Sequence, residues 1–199
     1  MKTIKMSEGI NYDRRRFLGT AAMTIAATQF GMIGSASPSS RVSELALVLP
    51  APPTPLGAYV EASDAGNLLF LSGMLPVVDR KLVFSGRLGE NLSVKQGQET
   101  ARVASLNALA AAKQHLGDLD RLKKLIKLTV LIATTERFTE HAQVADGASN
   151  LFAQIFGPRS GHVRLVYGVY SLPIGAPVIV DVIFEIEPVR QSTSKPHQY

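Results

Sequence analysis

Apolar residues along this chain come in short bursts with two different periods. Asn67 to Gly73 is a compact apolar run that follows Gly66 and closes on Gly73, which predicts a buried strand. Lys81 to Phe84 predicts a shorter partner for it, beyond Pro76 and the charged turn Asp79-Arg80. The period then changes to that of a helix. Ser93-Val94-Lys95-Gln96 has the form of a capping box, in which the Ser hydroxyl accepts from a first-turn amide and Gln96 reaches back to the cap. The helix runs to about Leu116, with Ala101, Ala104, Ala108 and Ala112 forming a small-residue stripe that can lie close on a sheet, and Gly117 as its stop. Lys123 to Ala133 alternates and then turns continuously apolar, as a central strand does. A second helix covers roughly Gln143 to Phe156 and stops at Gly157-Pro158. Two strands follow, Val163 to Tyr170 and Val178 to Glu187, joined by the turn Leu172-Pro173-Ile174-Gly175-Ala176-Pro177. The order of elements predicts an α+β fold, a mixed sheet with two helices packed on one face.

The N-terminus changes the picture of where the chain works. Arg14-Arg15-Arg16-Phe17-Leu18 precedes a mildly apolar stretch, Thr20 to Ile33, that is too short and too interrupted by Thr24, Thr28, Gln29 and Gly31 to span a bilayer. This reads as a twin-arginine signal, with Gly34-Ser35-Ala36 supplying small residues for cleavage. It implies transient engagement with the twin-arginine translocase, a periplasmic or secreted destination and no stable membrane anchor. The expected organisation is therefore a signal over 1–36, a Pro/Ser-rich tether with an edge strand at Leu45 to Leu49 over 37–55, one domain over 56–188 and a polar tail over 189–199.

Charge and composition narrow the function. The full chain has a net charge of +5, of which five basic and two acidic residues lie in the first 36, so the mature part is near neutral. Its densest basic piece, Arg121 to Lys127, alternates with apolar residues and reads as the solvated face of a strand. Neither feature is a footprint for nucleic acid. The absence of cysteine excludes disulfides, thiolate metal sites and a Cys nucleophile. The four histidines, His115, His141, His162 and His197, show no ligand spacing with carboxylates, so no metal and no cofactor is expected.

Four ordered pieces carry a resemblance: Leu56-Gly57-Ala58-Tyr59-Val60, Gly66 to Gly73, His162-Val163-Arg164, and Leu172 to Val178. Together they resemble the RidA/YjgF family, also called the endoribonuclease L-PSP or chorismate mutase-like superfamily. Asn107-Ala108-Leu109, Gly147-Ala148-Ser149 and Gly168-Val169 look like a divergent branch of it. The resemblance implies a homotrimeric barrel with a ligand site in each cleft between subunits. It also implies hydrolysis of 2-oxo-acid enamines and imines, of the 2-iminobutanoate or 2-iminopropanoate deaminase type.

That chemistry needs an Arg for the substrate carboxylate and a group that handles water and protons. Arg164, eight residues before the Leu-Pro turn, takes the place of the family's carboxylate anchor. Tyr59 and Ser72 match cleft-lining positions, each with a purely structural alternative, and His162 is kept as a cleft residue. Arg159 copies part of a family pattern at the wrong distance from the turn. Ile179 stands where family deaminases carry a Glu, and Val166 where they carry a reactive Cys. Asp181 shares a strand face with Ile179 but lies one pleat away, roughly 6 to 7 Å; it is the remaining candidate for the acid, with a structural role or a pairing with a basic neighbour as the favoured alternative. The expectation is a small-carboxylate binder with weak or altered deaminase activity. The alternatives are a non-catalytic binding trimer and, third, an endoribonuclease.

Overall fold

The computed structural model describes residues 36–187, so the twin-arginine segment and the polar tail lie outside the described residues. The chain runs α1 (Pro38–Glu44), β1 (Ala62–Ala65), β2 (Leu68–Leu71), β3 (Val77–Val78), β4 (Lys81–Leu82), α2 (Val94–Leu116), β5 (Leu122–Ala133), α3 (His141–Phe156), β6 (Val163–Val169) and β7 (Val178–Ile186). Five strands form one sheet in the order β1-β2-β7-β5-β6, and β3 pairs with β4 in a separate two-stranded ribbon. Within the main sheet β5 and β6 are parallel, joined by the crossover helix α3, and the other neighbours are antiparallel. This is the expected α+β mixed sheet, with one helix more than the sequence suggested.

The extra helix corrects the reading of residues 37–55 as tether and edge strand. Ser37 caps α1 by accepting from the Ser40 amide, and Pro38 at the first helical position begins a helix where its missing N–H costs nothing. Leu45 to Leu49, expected as a strand, follows that helix without pairing. The helix is tied to the body through Ser39, whose amide donates to Asp120 Oδ1 at 2.8 Å. Burial raises the Asp120 carboxyl, but the bonds from Ser39 and Ser37 outweigh it and leave the group below its ordinary range. A second correction concerns Lys81 to Phe84. It pairs with Val77–Val78 rather than with the apolar run at Leu68–Leu71, whose partner is the unexpected β1 across a turn at Gly66-Asn67.

The long helix formed as its cap predicted, with the reciprocal Ser93 and Gln96 bonds in place and Gly117 at φ 81° ending it. All four stripe alanines are fully buried. Strand β5 resolves a conflict in its sequence: Leu122, Leu125 and Leu128 recur every third residue, which a regular strand cannot keep on one face. Register shifts between Leu122 and Lys124 and between Leu125 and Lys127 insert the extra residues, and all three leucines reach the core.

The helices cover one face of the sheet only. Val178, Val180, Val182 and Phe184 of β7 turn inward and are fully buried, while Ile179, Asp181, Ile183 and Glu185 alternate onto the opposite face. Register places Phe70, Thr129, Leu131, Leu165 and Tyr167 on that same open face. It is largely apolar, with Phe70 41%, Leu165 40% and Tyr167 48% exposed. Among the described residues no helix is long and apolar enough to cross a membrane.

Candidate functional site

The β1–β2 hairpin sets the first half of the site. Its turn pairs Ala65 with Leu68 and Ala62 with Leu71, so the next pair outward is Glu61 with Ser72, closed by a backbone bond from the Ser72 amide to the Glu61 carbonyl at 2.9 Å. Cross-strand partners share a face, and Ser72 Oγ donates to Glu61 Oε2 at 2.6 Å. Both side chains lie on the open face. Beyond them a cavity of about 750 Å³ opens between the proline-rich stretch 50–56 and the segment 73–80. Tyr59, Glu61, Gly73, Arg80 and Ile174 line it.

Several local features hold this cavity in shape. Tyr59 Oη accepts from the Leu56 amide at 3.0 Å, which fixes the ring and leaves the phenolic hydrogen able to donate elsewhere. Buried Asn107 of α2 donates to the carbonyls of Leu75 and Val77 at 2.8 and 2.9 Å, pinning the opposite wall. Ile174 sits at φ 53°, a left-handed conformation that a β-branched residue adopts only under constraint. Gly73 is required: a Cβ there would stand 2.8 Å from Ile179 Cγ2. Thus the position expected to carry the acid abuts the cavity wall as an apolar side chain.

Arg164 is elsewhere. It lies on β6, the opposite edge of the sheet, and points to the helix side. Its NH1 donates to Asp146 Oδ1 at 2.6 Å and to Ser149 Oγ at 3.1 Å, both on α3. His162 continues the chain. Its Nδ1 donates to the Ser160 carbonyl at 2.7 Å, since a carbonyl only accepts, and Nε2 then accepts from the Ser149 hydroxyl at 3.2 Å. One end of the guanidinium is therefore held by Asp146 and Ser149 of α3, with His162 bonded in turn to Ser149, while Nε and NH2 have no bond among the described residues. That remaining edge is the bidentate one for a planar carboxylate.

Three strand spacings separate β2 from β6, about 14 Å, so a single chain does not bring Arg164 to Tyr59 and Ser72. Asp181 shares the open face with Ile179 as its spacing required, pairs in register with Thr129, and makes no ion pair among the described residues. Thr129 Oγ1 beside it is buried without a partner. Val166 packs against the core. Arg159 occupies a short 3₁₀ turn after α3, its Nε buried and unpartnered. Among the described residues no three of His, Asp and Glu cluster as metal ligands. Sequence reasoning missed two residues here. Glu61 follows Tyr59 by two, and the two-residue turn Gly66-Asn67 fixes its register opposite Ser72. Asp146 as the partner of Arg164 carries no sequence signal.

Comparison with known proteins places this geometry. The model of a family described as "YjgF/chorismate mutase-like, putative endoribonuclease" matches residues 39–186. The Trypanosoma cruzi protein TCP17 is 38% identical over 156 residues, covering 78% of this chain and 98% of its own. A crystal structure described as a "putative endoribonuclease" from Shewanella oneidensis MR-1 superposes with a TM-score of 0.73 at 33% identity, covering 76% of this chain and 100% of that one. The protein Atu1372 from Agrobacterium tumefaciens superposes with a TM-score of 0.70 at 36% identity, over 75% of this chain and 92% of that one.

Proposed function

The chain belongs to the YjgF/chorismate mutase-like family, and from that premise we propose that it is an exported homotrimer holding small 2-oxo or 2-imino carboxylates in clefts between subunits. The free Nε and NH2 edge of Arg164, steadied at its other end by α3, carries this reading. The substrate carboxylate docks on that edge. The reacting end of the ligand then meets Tyr59 and Ser72 of the partner subunit, because the two halves stand on opposite edges of one chain's sheet.

The uncovered apolar face supports assembly. A sheet with Phe70, Leu131, Leu165, Ile179 and Ile183 facing outward buries this surface against further copies of itself, and closed rings are the ordinary outcome for one repeated interface. Export rests on the Arg14-Arg15 pair and the apolar stretch behind it. Hydrolysis of the C=N bond of a 2-imino acid to the 2-oxo acid and ammonia is the reaction the ligand class suggests. The near-neutral mature charge makes a polynucleotide substrate the weaker reading.

Calorimetric titration of the purified trimer with 2-oxobutanoate tests the anchor. Wild type binds, and Arg164→Ala loses about 1.5 to 3 kcal/mol, roughly a factor of 10 to 150 in Kd, for the charged hydrogen bonds removed. Unchanged affinity in Arg164→Ala refutes this arginine as the anchor.

A further inference from the structure

Hydrolysis of an imine needs a base to take a proton from water and return it to nitrogen, and β7 carries only Ile179 at the expected place, behind Gly73 of the cavity wall. We infer that Glu61, entering from the neighbouring hairpin, supplies this acid–base function, with Ser72 positioning its carboxylate; the inference rests on the carboxylate-site reading above.

Four observations converge on Glu61. It lines the cavity in its own right. Its Oε2 is fixed at 2.6 Å by the Ser72 hydroxyl, while Oε1 makes no bond among the described residues and is left for water or substrate. It sits two residues from Tyr59, whose anchored ring forms the adjoining wall. It shares the open sheet face with Ser72, directly across the hairpin from the residue that leads into Gly73, whose neighbour is Ile179. The carboxylate of this cavity thus comes from the start of the β1–β2 hairpin, while β7 presents the apolar Ile179 behind Gly73.

The other acids fit less well. Asp79 lines the same cavity but is exposed, at a φ of 50° in the turn that joins β3 to β4. Asp181, on the same open face, stands beside Thr129 and does not line the cavity.

The step balances without a cofactor. Glu61 takes a proton from water as its oxygen bonds to the imine carbon, and the C=N π pair passes to nitrogen, which takes that proton. The carbinolamine then collapses: the C–N bond breaks, ammonia leaves with that pair and the hydroxyl proton, and the carbonyl of the 2-oxo acid forms. Glu61 carries the proton in each transfer and ends unchanged.

The experiment measures turnover of 2-iminobutanoate generated in situ, alongside calorimetric binding of 2-oxobutanoate, for wild type, Glu61→Gln, Glu61→Asp and Asp181→Asn. Gln keeps the acceptor for Ser72 but cannot shuttle a proton. Glu61→Gln therefore lowers kcat by about 10² to 10⁴ with binding held within about twofold, and Glu61→Asp recovers part of the loss. Asp181→Asn stays within about threefold of wild type. Wild-type turnover retained in Glu61→Gln, loss in Asp181→Asn instead, or binding with no turnover in wild type each overturns the assignment of Glu61. Absence of 2-oxobutanoate binding in wild type overturns the carboxylate-site reading itself, in a separate measurement.

Discussion

Leu165→Asp yields monomers that keep the wild-type far-UV circular dichroism. Leu165 lies on the edge strand β6, 40% exposed in the isolated chain, so an aspartate there meets water and leaves the fold intact. In the proposed trimer the same position is covered. The carboxylate must then be desolvated facing Thr129 and Asp181, with no cation in register beside it. Burying an unpaired charge costs several kcal/mol, and about 3 kcal/mol already weakens association roughly a hundredfold. Light scattering at micromolar concentration reads the result as a mass of one chain against three for wild type. A trimeric Leu165→Asp removes the open face from the interface.

Gly147→Ala is the most damaging single-methyl change in the domain. At Gly147 helices α2 and α3 touch backbone to backbone: a Cβ would stand 2.1 Å from the Gln98 carbonyl oxygen and 2.7 Å from its carbon. Neither atom can swing aside, because both belong to the interior of α2. The helices must separate, which loosens Val144, Ala148 and Leu151 from the core they share. Overpacking of this kind costs about 3 kcal/mol, and in a domain of this size that lowers Tm by roughly 6 to 12 °C. Gly161→Ala is the control, since a Cβ there meets nothing within 4 Å; its Tm stays within about 2 °C of wild type. Equal melting of the two variants contradicts this account of the helix contact.

Those two positions show what the sequence could and could not convey. The long helix was legible to the residue, because Ser93, Gln96 and Gly117 are local signals and the alanine stripe states its own face. Strand β1 was not, since Ala62-Ser63-Asp64-Ala65 contains no residue that favours a pleated surface; its pairing comes from the Gly66-Asn67 turn and the apolar β2 beside it. Helix α1 was hidden for the opposite reason. Five prolines between Pro38 and Pro55 suggested extended chain throughout, yet the first of them starts a helix. The bulges of β5 were implicit in a three-residue leucine repeat that neither a straight strand nor the surrounding alternation could satisfy.

The site divides in the same way. Tyr59, Ser72 and Arg164 were identified by their place in ordered motifs, and the hairpin, the cavity and the α3 contacts give each a defined setting. What the motifs could not show is that the arginine stands a sheet's width from the other two, because spacing along the chain is silent about which edge of a sheet a strand occupies. Nor could they show that Ser72 faces a carboxylate, Glu61, across the hairpin. That follows from register, which one turn decides.

The most direct test of the proposed shared cleft is a crystal structure of the protein with 2-oxobutanoate bound. The account predicts the ligand carboxylate on Nε and NH2 of Arg164, with its keto oxygen toward Tyr59, Ser72 and Glu61 of the partner subunit. A ligand held entirely within one chain, or seated away from Arg164, contradicts it.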